Sequence, residues 1–263
     1  MKDTKIRLTH ADYFAGIGGF SLAAEWLGIE TVYTSENDDF RHNWLKHRFN
    51  NAIHEKDITQ TEGYPADIFT GGFPCQDISA ANPKGKGVDG GERSGLWHEL
   101  FRVTAKHRPR YLLLENSPRL IHRGLRNILG QLASIGYDAE WNVFSKRTLG
   151  FADIRKRLFL VAYPMQIRLD SAKVFTQVAY YNGRKAIKQK IDFLSTVTGI
   201  YSLEIRNTPI PELIQSDAGL SAELVKNEIM AYGDAVCPHV AFVVMHMILQ
   251  YEVKLKTFNN LKQ

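Results

Sequence analysis

Apolar, β-rich runs alternate with helical patterns over the first 165 residues of this 263-residue chain. "ADYF" (11–14), "TVYTS" (31–35), "ADIFT" (66–70), "RYLLLE" (110–115), "AEWNVF" (139–144) and "RLFLVAY" (157–163) read as strands, short stretches rich in β-branched and aromatic side chains. Between them, "GFSLAAEWLG" (19–28), "DDFRHNWLKHRF" (38–49), "SGLWHELFRVTAKH" (94–107) and "LRNILGQLASIG" (125–136) carry apolar residues at three-to-four spacing, with Gly28 and Gly136 as helix stops. The alternation predicts an α/β fold on a mostly parallel, Rossmann-like sheet. Only "SKRTLGFADI" (145–154) separates the last two strands. That is too short for a crossover helix, so this end of the sheet is expected to pair antiparallel.

After Pro164 the periodicity fails. Residues 166 to about 206 hold the basic cluster "GRKAIKQK" (183–190) among Thr, Ser and Tyr, and predict a small irregular region. Helical spacing returns in "SAELVKNEIMAYG" (221–233) and "PHVAFVVMHMILQYEV" (238–253), and "KTFNNLKQ" (256–263) reads as a polar tail. The expected organisation is a main domain over 1–164, a small region over 165–207 and a C-terminal segment over 208–263.

Composition adds limits. A hydrophobic content of 44% can fill one sizeable core. Lys and Arg total 33 against 28 Asp and Glu, a net +5 that permits a polyanionic partner without requiring one. Cys75 and Cys237 are the only cysteines and cannot make a disulfide framework, and the opening "MKDTKIRLTH" lacks the apolar stretch of a signal peptide. The longest apolar run, "VAFVVMHMIL" (240–249), contains a histidine and falls short of the ~20 residues a membrane span needs. A soluble, cytoplasmic protein with no membrane partner is expected.

"DYFAGIGGF" (12–20) ends a strand and opens a helix, and Gly16, Gly18 and Gly19 let its backbone approach a ligand that a Cβ would push away. Glycine also punctuates purely structural turns, so the loop needs support from elsewhere. In "TSEND" (34–38), Glu36 stands at a strand end about 20 residues on, where an acid accepts from ribose hydroxyls. NAD fits that geometry as well. In "EKDITQ" (55–60), at the end of a third strand, Asp57 is placed to accept from an adenine amino group, or to be a solvated loop acid.

The candidate chemistry sits at other strand ends. "GGFPCQDIS" (71–79) holds Cys75 in a glycine-flanked turn, where a thiolate is exposed enough to attack. Cys237, before Pro238 and an apolar run, reads as a small buried hydrophobe. "LLLENSPRL" (112–120) ends a strand in Glu115, and parallel strands share one rim, so Cys75 and Glu115 can meet. In a low-dielectric pocket Glu115 would keep its proton and donate to a ring nitrogen; the plainer alternative is a helix-capping acid paired with Arg119. In "ADIRKRLFLVAY" (152–163), Arg155 and Arg157 alternate onto one side, able to hold a carbonyl oxygen or phosphate or to be a solvent-facing basic strand end.

These residues, in this order, resemble the cytosine-C5 DNA methyltransferase family. "DYFAGIGGF" is similar to its cofactor loop, "GGFPCQDIS" to its catalytic loop, "ENSPRL" (115–120) to its acidic strand end, "RKRLFLV" (155–161) to its arginine motif, and "AYGDAVCPHVA" (231–241) to the closing motif that returns the chain to the cofactor site. The resemblance implies S-adenosylmethionine as cofactor, held by Phe14, Ala15, Gly16, Gly18, Gly19, Phe20, Glu36, Asn37, Asp57, Ile58 and Pro74. It implies Cys75 as nucleophile, with Glu115, Arg155 and Arg157 completing the catalytic set and no metal. It implies a cytosine flipped from double-stranded DNA, with Gln76, Ser79, Ser94, Arg184 and Lys185 as DNA contacts. A bacterial or phage-encoded, nucleoid-associated monomer fits this reading.

The chain departs from the family pattern in three places. Asp153 stands where the arginine motif commonly has Gln, Asp234 replaces the Asn of the closing motif, and the recognition region between Pro164 and about Asn207 is small. An RNA cytosine-C5 methyltransferase and a non-catalytic DNA-binding or partner-activating module are the alternatives. An NAD-linked dehydrogenase would leave "GFPCQ" unexplained.

Overall fold

Strands form where the apolar runs stand. The structure, a computed structural model, describes residues 7–74, 96–145, 155–169, 173–175 and 235–260. Its strands are β1 (Thr9–Tyr13), β2 (Glu30–Ser35), β3 (Ile53–Glu55), β4 (Ile68–Gly71), β5 (Tyr111–Asn116), β6 (Tyr137–Ser145) and β7 (Lys156–Pro164). Its helices are α1 (Gly19–Trp26), α2 (Asp39–Arg48), α3 (Leu96–His107), α4 (Leu120–Arg123), α5 (Leu125–Ser134) and α6 (Pro238–Asn260). β3 is only three residues long, with its two outer residues exposed, which is why it shows no apolar alternation. The "KTFNN" expected as tail continues α6 to Asn260. The helix expected over 221–233 lies outside the described residues.

The sheet order is β3-β2-β1-β4-β5-β7-β6. All neighbours pair parallel except β7, which runs antiparallel to both β5 and β6, so the expected antiparallel end is present. The chain winds outward from β1 to β3, then resumes beside β1 at β4 and winds the other way. The β1/β4 boundary is therefore the switch point, and in open α/β sheets ligands bind outside the carboxyl ends of the strands at that crevice. The β3–β4 connection, residues 56–67, contains no helix; it leaves the rim at Lys56–Ile58, passes α3 through hydrogen bonds from Arg102 to Ile58 O and Thr61 O, and reaches the start of β1 where Asp67 accepts from Thr9.

Both faces of the sheet are covered, which accounts for the unbroken burial of β4 and the central part of β7. Alternation along β1 sends Ala11 and Tyr13 into the core cluster shared with Trp97, Leu100 and Val103 of α3. It sends His10 and Asp12 to the opposite face, where Asp12 meets Ser21 of α1. α6 packs against α1, with Trp26 and Phe242 edge to face at 6.2 Å. The chain divides into two units, Met1–Val174 with Asp234–Gln263 and Phe175–Gly233, and the site lies within the first.

Candidate active site

The first strand ends in an uncommon backbone. Phe14 has φ 55°, a left-handed conformation that side chains rarely adopt, and Gly16 and Gly18 follow at 59° and 85°. Three backbone hydrogen bonds fix this loop: Ala15 N–H donates to Ser35 O at 3.0 Å, Gly18 N–H to Ala15 O at 2.8 Å, and Gly16 N–H to the Glu36 carboxylate at 2.8 Å. The other Glu36 oxygen accepts from Asp38 N–H at 3.0 Å. Burial pushes the Glu36 carboxyl above its ordinary range against those two hydrogen bonds.

Beneath the loop runs a buried polar chain. Thr31 and Thr70 bond the two ring nitrogens of His10 at 2.9 and 2.8 Å, Thr70 Oγ1 donates to Asp12 at 2.8 Å, and Asp12 accepts from the Ser21 hydroxyl and N–H at 2.7 and 3.1 Å. Because the Thr70 proton goes to Asp12, its oxygen must accept from His10 Nε2–H, so Nδ1 accepts from Thr31. Burial lowers the His10 pKa to about 3 and raises that of Asp12 to about 7. The chain ties β2, β1 and β4 to the first turn of α1.

Above the switch point lies a cavity of about 400 Å³, lined by Phe14, Ala15, Gly16, Glu36, Asn37, Asp57, Ile58, Pro74, Glu115 and Arg157 among others. These residues come from six separate stretches of the sequence. The wall also includes Ser35, Arg41, Lys56, Gly72, Phe73, Leu96, Asn116, Ser117, Ala235 and Val236, none of which the sequence reading assigned to the site. "ENSPRL" and "GDAV" contain four of them, so proximity to an assigned motif was the available signal.

Register explains the central pair. Glu115 of β5 stands opposite Phe159 of β7, so Arg157, two residues away on β7, is its diagonal neighbour on the same face. Arg157 Nε lies 2.7 Å from Glu115 Oε1, with the Glu115 side chain 12% exposed and that of Arg157 33%. Burial raises the Glu115 pKa to about 7, opposed chiefly by the charge of Arg157 and then of Arg155. The helix-capping alternative with Arg119 is not what forms: Arg157 holds the acid. Next along β5, buried Asn116 donates to Phe73 O at 3.2 Å and so fixes the turn that runs through Pro74 towards Cys75.

Some expected site residues serve packing instead. Gly18 and Phe20 do not line the cavity; Gly18 precedes α1 and Phe20 is buried edge-on to Phe159 at 6.4 Å. Gly19 is also off the wall, and a Cβ there would strike the carbonyl oxygen of Val236. Arg155 donates to Ala235 O at 3.3 Å and borders a separate small cavity with Cys237, Phe144 and Val240. Cys75, Gln76, Ser79, Ser94, Asp153, Arg184, Lys185 and Asp234 lie outside the described residues. Among the described residues there is no cluster of metal-ligating side chains, and no helix is long and apolar enough to cross a membrane.

A family model for C-5 cytosine-specific DNA methylase matches residues 8–246. The chain is 31% identical over 205 residues to the Type II methyltransferase M.Sau3AI of Staphylococcus aureus, covering 65% of this chain and 48% of that protein. It is 29% identical over 215 residues to the Type II methyltransferase M.HgiCII of Herpetosiphon aurantiacus, covering 78% of this chain and 48% of that one. The chain spans about half the length of these curated relatives. Among solved structures, a DNA modification methyltransferase encoded within an E. coli prophage aligns with a TM-score of 0.52 at 26% identity, covering 62% of this chain and 48% of that chain.

Proposed function

The chain belongs to the C-5 cytosine-specific DNA methylase family, and from that premise we propose that it methylates C5 of cytosine in double-stranded DNA, with S-adenosylmethionine as donor. The observation that carries this reading is one cavity that holds the Glu115–Arg157 pair, the Phe14–Gly16 loop and Pro74, the residue before Cys75. The residues present suit the donor. A Cβ at Gly16 would meet open space, Glu36 offers a carboxylate for ribose hydroxyls, and Ile58 beside Asp57 gives an apolar and an acidic contact for adenine. Bound there, S-adenosylmethionine supplies an electrophilic methyl group.

The chain's own residues handle the pyrimidine. The Cys75 thiolate bonds to C6 of a flipped cytosine, and the displaced π electrons build up at C5 and over the N3–C4 amidine. Glu115, with a pKa near neutrality, carries a proton it can share with N3 while accepting from the exocyclic amine. Arg157 donates to O2, which requires it to divide its donors between the substrate and Glu115. That electron density makes C5 the nucleophile that would take a methyl group from a donor held against Phe14–Gly16, Glu36 and Ile58. Loss of the C5 proton to solvent water returns its electron pair to the C5=C6 bond, the C6–S bond breaks to restore the thiolate, and the proton shared with N3 goes back to Glu115.

Duplex DNA containing 5-fluorocytosine in place of cytosine tests this reading, because fluorine at C5 blocks the final elimination. With the donor present, a denaturation-resistant protein–DNA adduct should form with the wild-type chain and not with Cys75→Ser. Absence of an adduct with the wild-type chain would favour the binding-module alternative. Adduct formation only on 5-fluorocytosine RNA would move the substrate to RNA.

A further inference from the structure

We infer that Trp44, outside the cavity, is a positioning residue for the donor loop. The loop needs outside support, since Phe14 holds a φ of 55° that side chains rarely adopt and the glycines after it do not stiffen the chain. β2 and its end supply part of it: Ser35 O and the Glu36 carboxylate take the N–H groups of Ala15 and Gly16. The next peptide is held from α2. The Trp44 indole N–H donates to Ile17 O at 3.2 Å, although the side chain is 42% exposed and so is not placed there by core packing. Leu45 and Phe49 close off the space beside the following residue: a Cβ added at Gly18 would lie 3.1 Å from Leu45 Cδ2 and 2.5 Å from Phe49 Cε2.

Peptide orientation gives the Trp44 bond its effect. The Ile17 carbonyl and the Gly18 N–H belong to one planar peptide, and that N–H closes the turn onto Ala15 O at 2.8 Å. Fixing the carbonyl from α2 therefore fixes the turn whose inner residues, Phe14 to Gly16, form the cavity wall. An exposed tryptophan that donates its single proton to a glycine-loop carbonyl is a tether, and its removal frees the one carbonyl of that loop that α2 holds through an indole.

The inference rests on the reading that this loop cradles S-adenosylmethionine. Trp44→Phe tests it, since the ring bulk stays and the donor is lost. Binding of S-adenosylhomocysteine by calorimetry and the KM for S-adenosylmethionine should each weaken by about three- to tenfold, the scale of one neutral hydrogen bond. kcat at saturating donor should stay within about twofold, a split that a general loss of folded protein would not give. Hydrogen exchange at Gly16–Gly18 in the ligand-free chain should speed up by a similar factor, and this readout stands whether or not the methyltransferase reading survives. Donor affinity within twofold of wild type, kcat falling in step with rising KM, or unchanged exchange would each overturn the assignment. If the wild-type chain binds no S-adenosylhomocysteine, the donor reading itself fails and exchange alone decides the tether.

Discussion

Replacing Arg157 by methionine should shift the alkaline limb of the pH–rate profile upward as well as lower its height. In the wild-type chain the guanidinium lies 2.7 Å from Glu115 and is a third exposed. Burial raises the acid to about 7, and Arg157 is the leading influence holding it down. An opposite charge at this distance lowers a carboxyl pKa by about 1–3 units, and partial solvent screening puts this pair at the lower end. Methionine keeps much of the stem volume, so removing the charge should raise the Glu115 pKa by about 1–2 units, roughly 1–3 kcal/mol in favour of the neutral acid. Single-turnover methyl transfer measured from about pH 6 to about pH 9.5 reads this directly. The alkaline limb reports loss of the Glu115 proton. The wild-type alkaline limb should fall near pH 7 and that of Arg157→Met about one to two units higher. Stability gives an independent check of sign. A buried acid whose pKa is raised binds more protons folded than unfolded between pH 4.5 and about 7, so wild-type stability falls as pH rises through that window. In the variant the fall should continue to higher pH. An alkaline limb that stays in place, or moves down, would refute the account of Glu115 as a proton-bearing partner of Arg157.

Two further outcomes concern the frame around the cavity. His10→Leu leaves the half-buried Thr31 and buried Thr70 hydroxyls short of a partner and should lower the urea midpoint at pH 7 by the equivalent of about 1–3 kcal/mol. Because His10 is kept neutral down to about pH 3 while an unfolded histidine protonates near 6.5, the wild type loses stability as pH falls through that range, about 3 kcal/mol by pH 4.5. The variant escapes that loss, so its deficit should shrink or reverse at pH 4.5, and an equal deficit at both pH values would contradict a buried neutral imidazole. Gly19→Ala would ordinarily strengthen a helix by ~1 kcal/mol, yet here the new methyl meets Val236 O, so a lower melting temperature and weaker S-adenosylhomocysteine binding are expected. A higher melting temperature would show that the 235–237 segment can move aside freely.

The fold was legible because its central strands are buried on both faces and write themselves as apolar runs; β4, β5 and β7 are the clearest cases. β3 shows only through the acid expected at its end, Asp57, since a three-residue edge strand with exposed ends leaves no periodic trace. The glycine loop, Glu36, Asp57, Glu115 and Arg157 could be picked out because strand ends on one rim converge whatever the details of packing. The division of labour inside the glycine loop could not. Whether a glycine faces a ligand or another backbone depends on what lies across from it, and Gly19 faces Val236, a residue far along the chain. Arg155 and Arg157 look equivalent as text, but Arg157 stands on β7 beside Glu115, whereas Arg155, just before that strand, donates to the Ala235 carbonyl. Trp44 carried no sequence signal, because its partner is a main-chain oxygen.

The wall contributed by Ala235 and Val236 sets a timetable for biosynthesis. The ribosome makes Phe14 early and these two residues more than two hundred positions later, a delay of roughly 10 to 45 seconds at ordinary elongation speeds. Through that interval the nascent sheet lacks one side of its cavity, and Gly19 waits without the backbone that will cover it. A chain stopped short of Ala235 should therefore be unable to capture donor, however well its strands have formed.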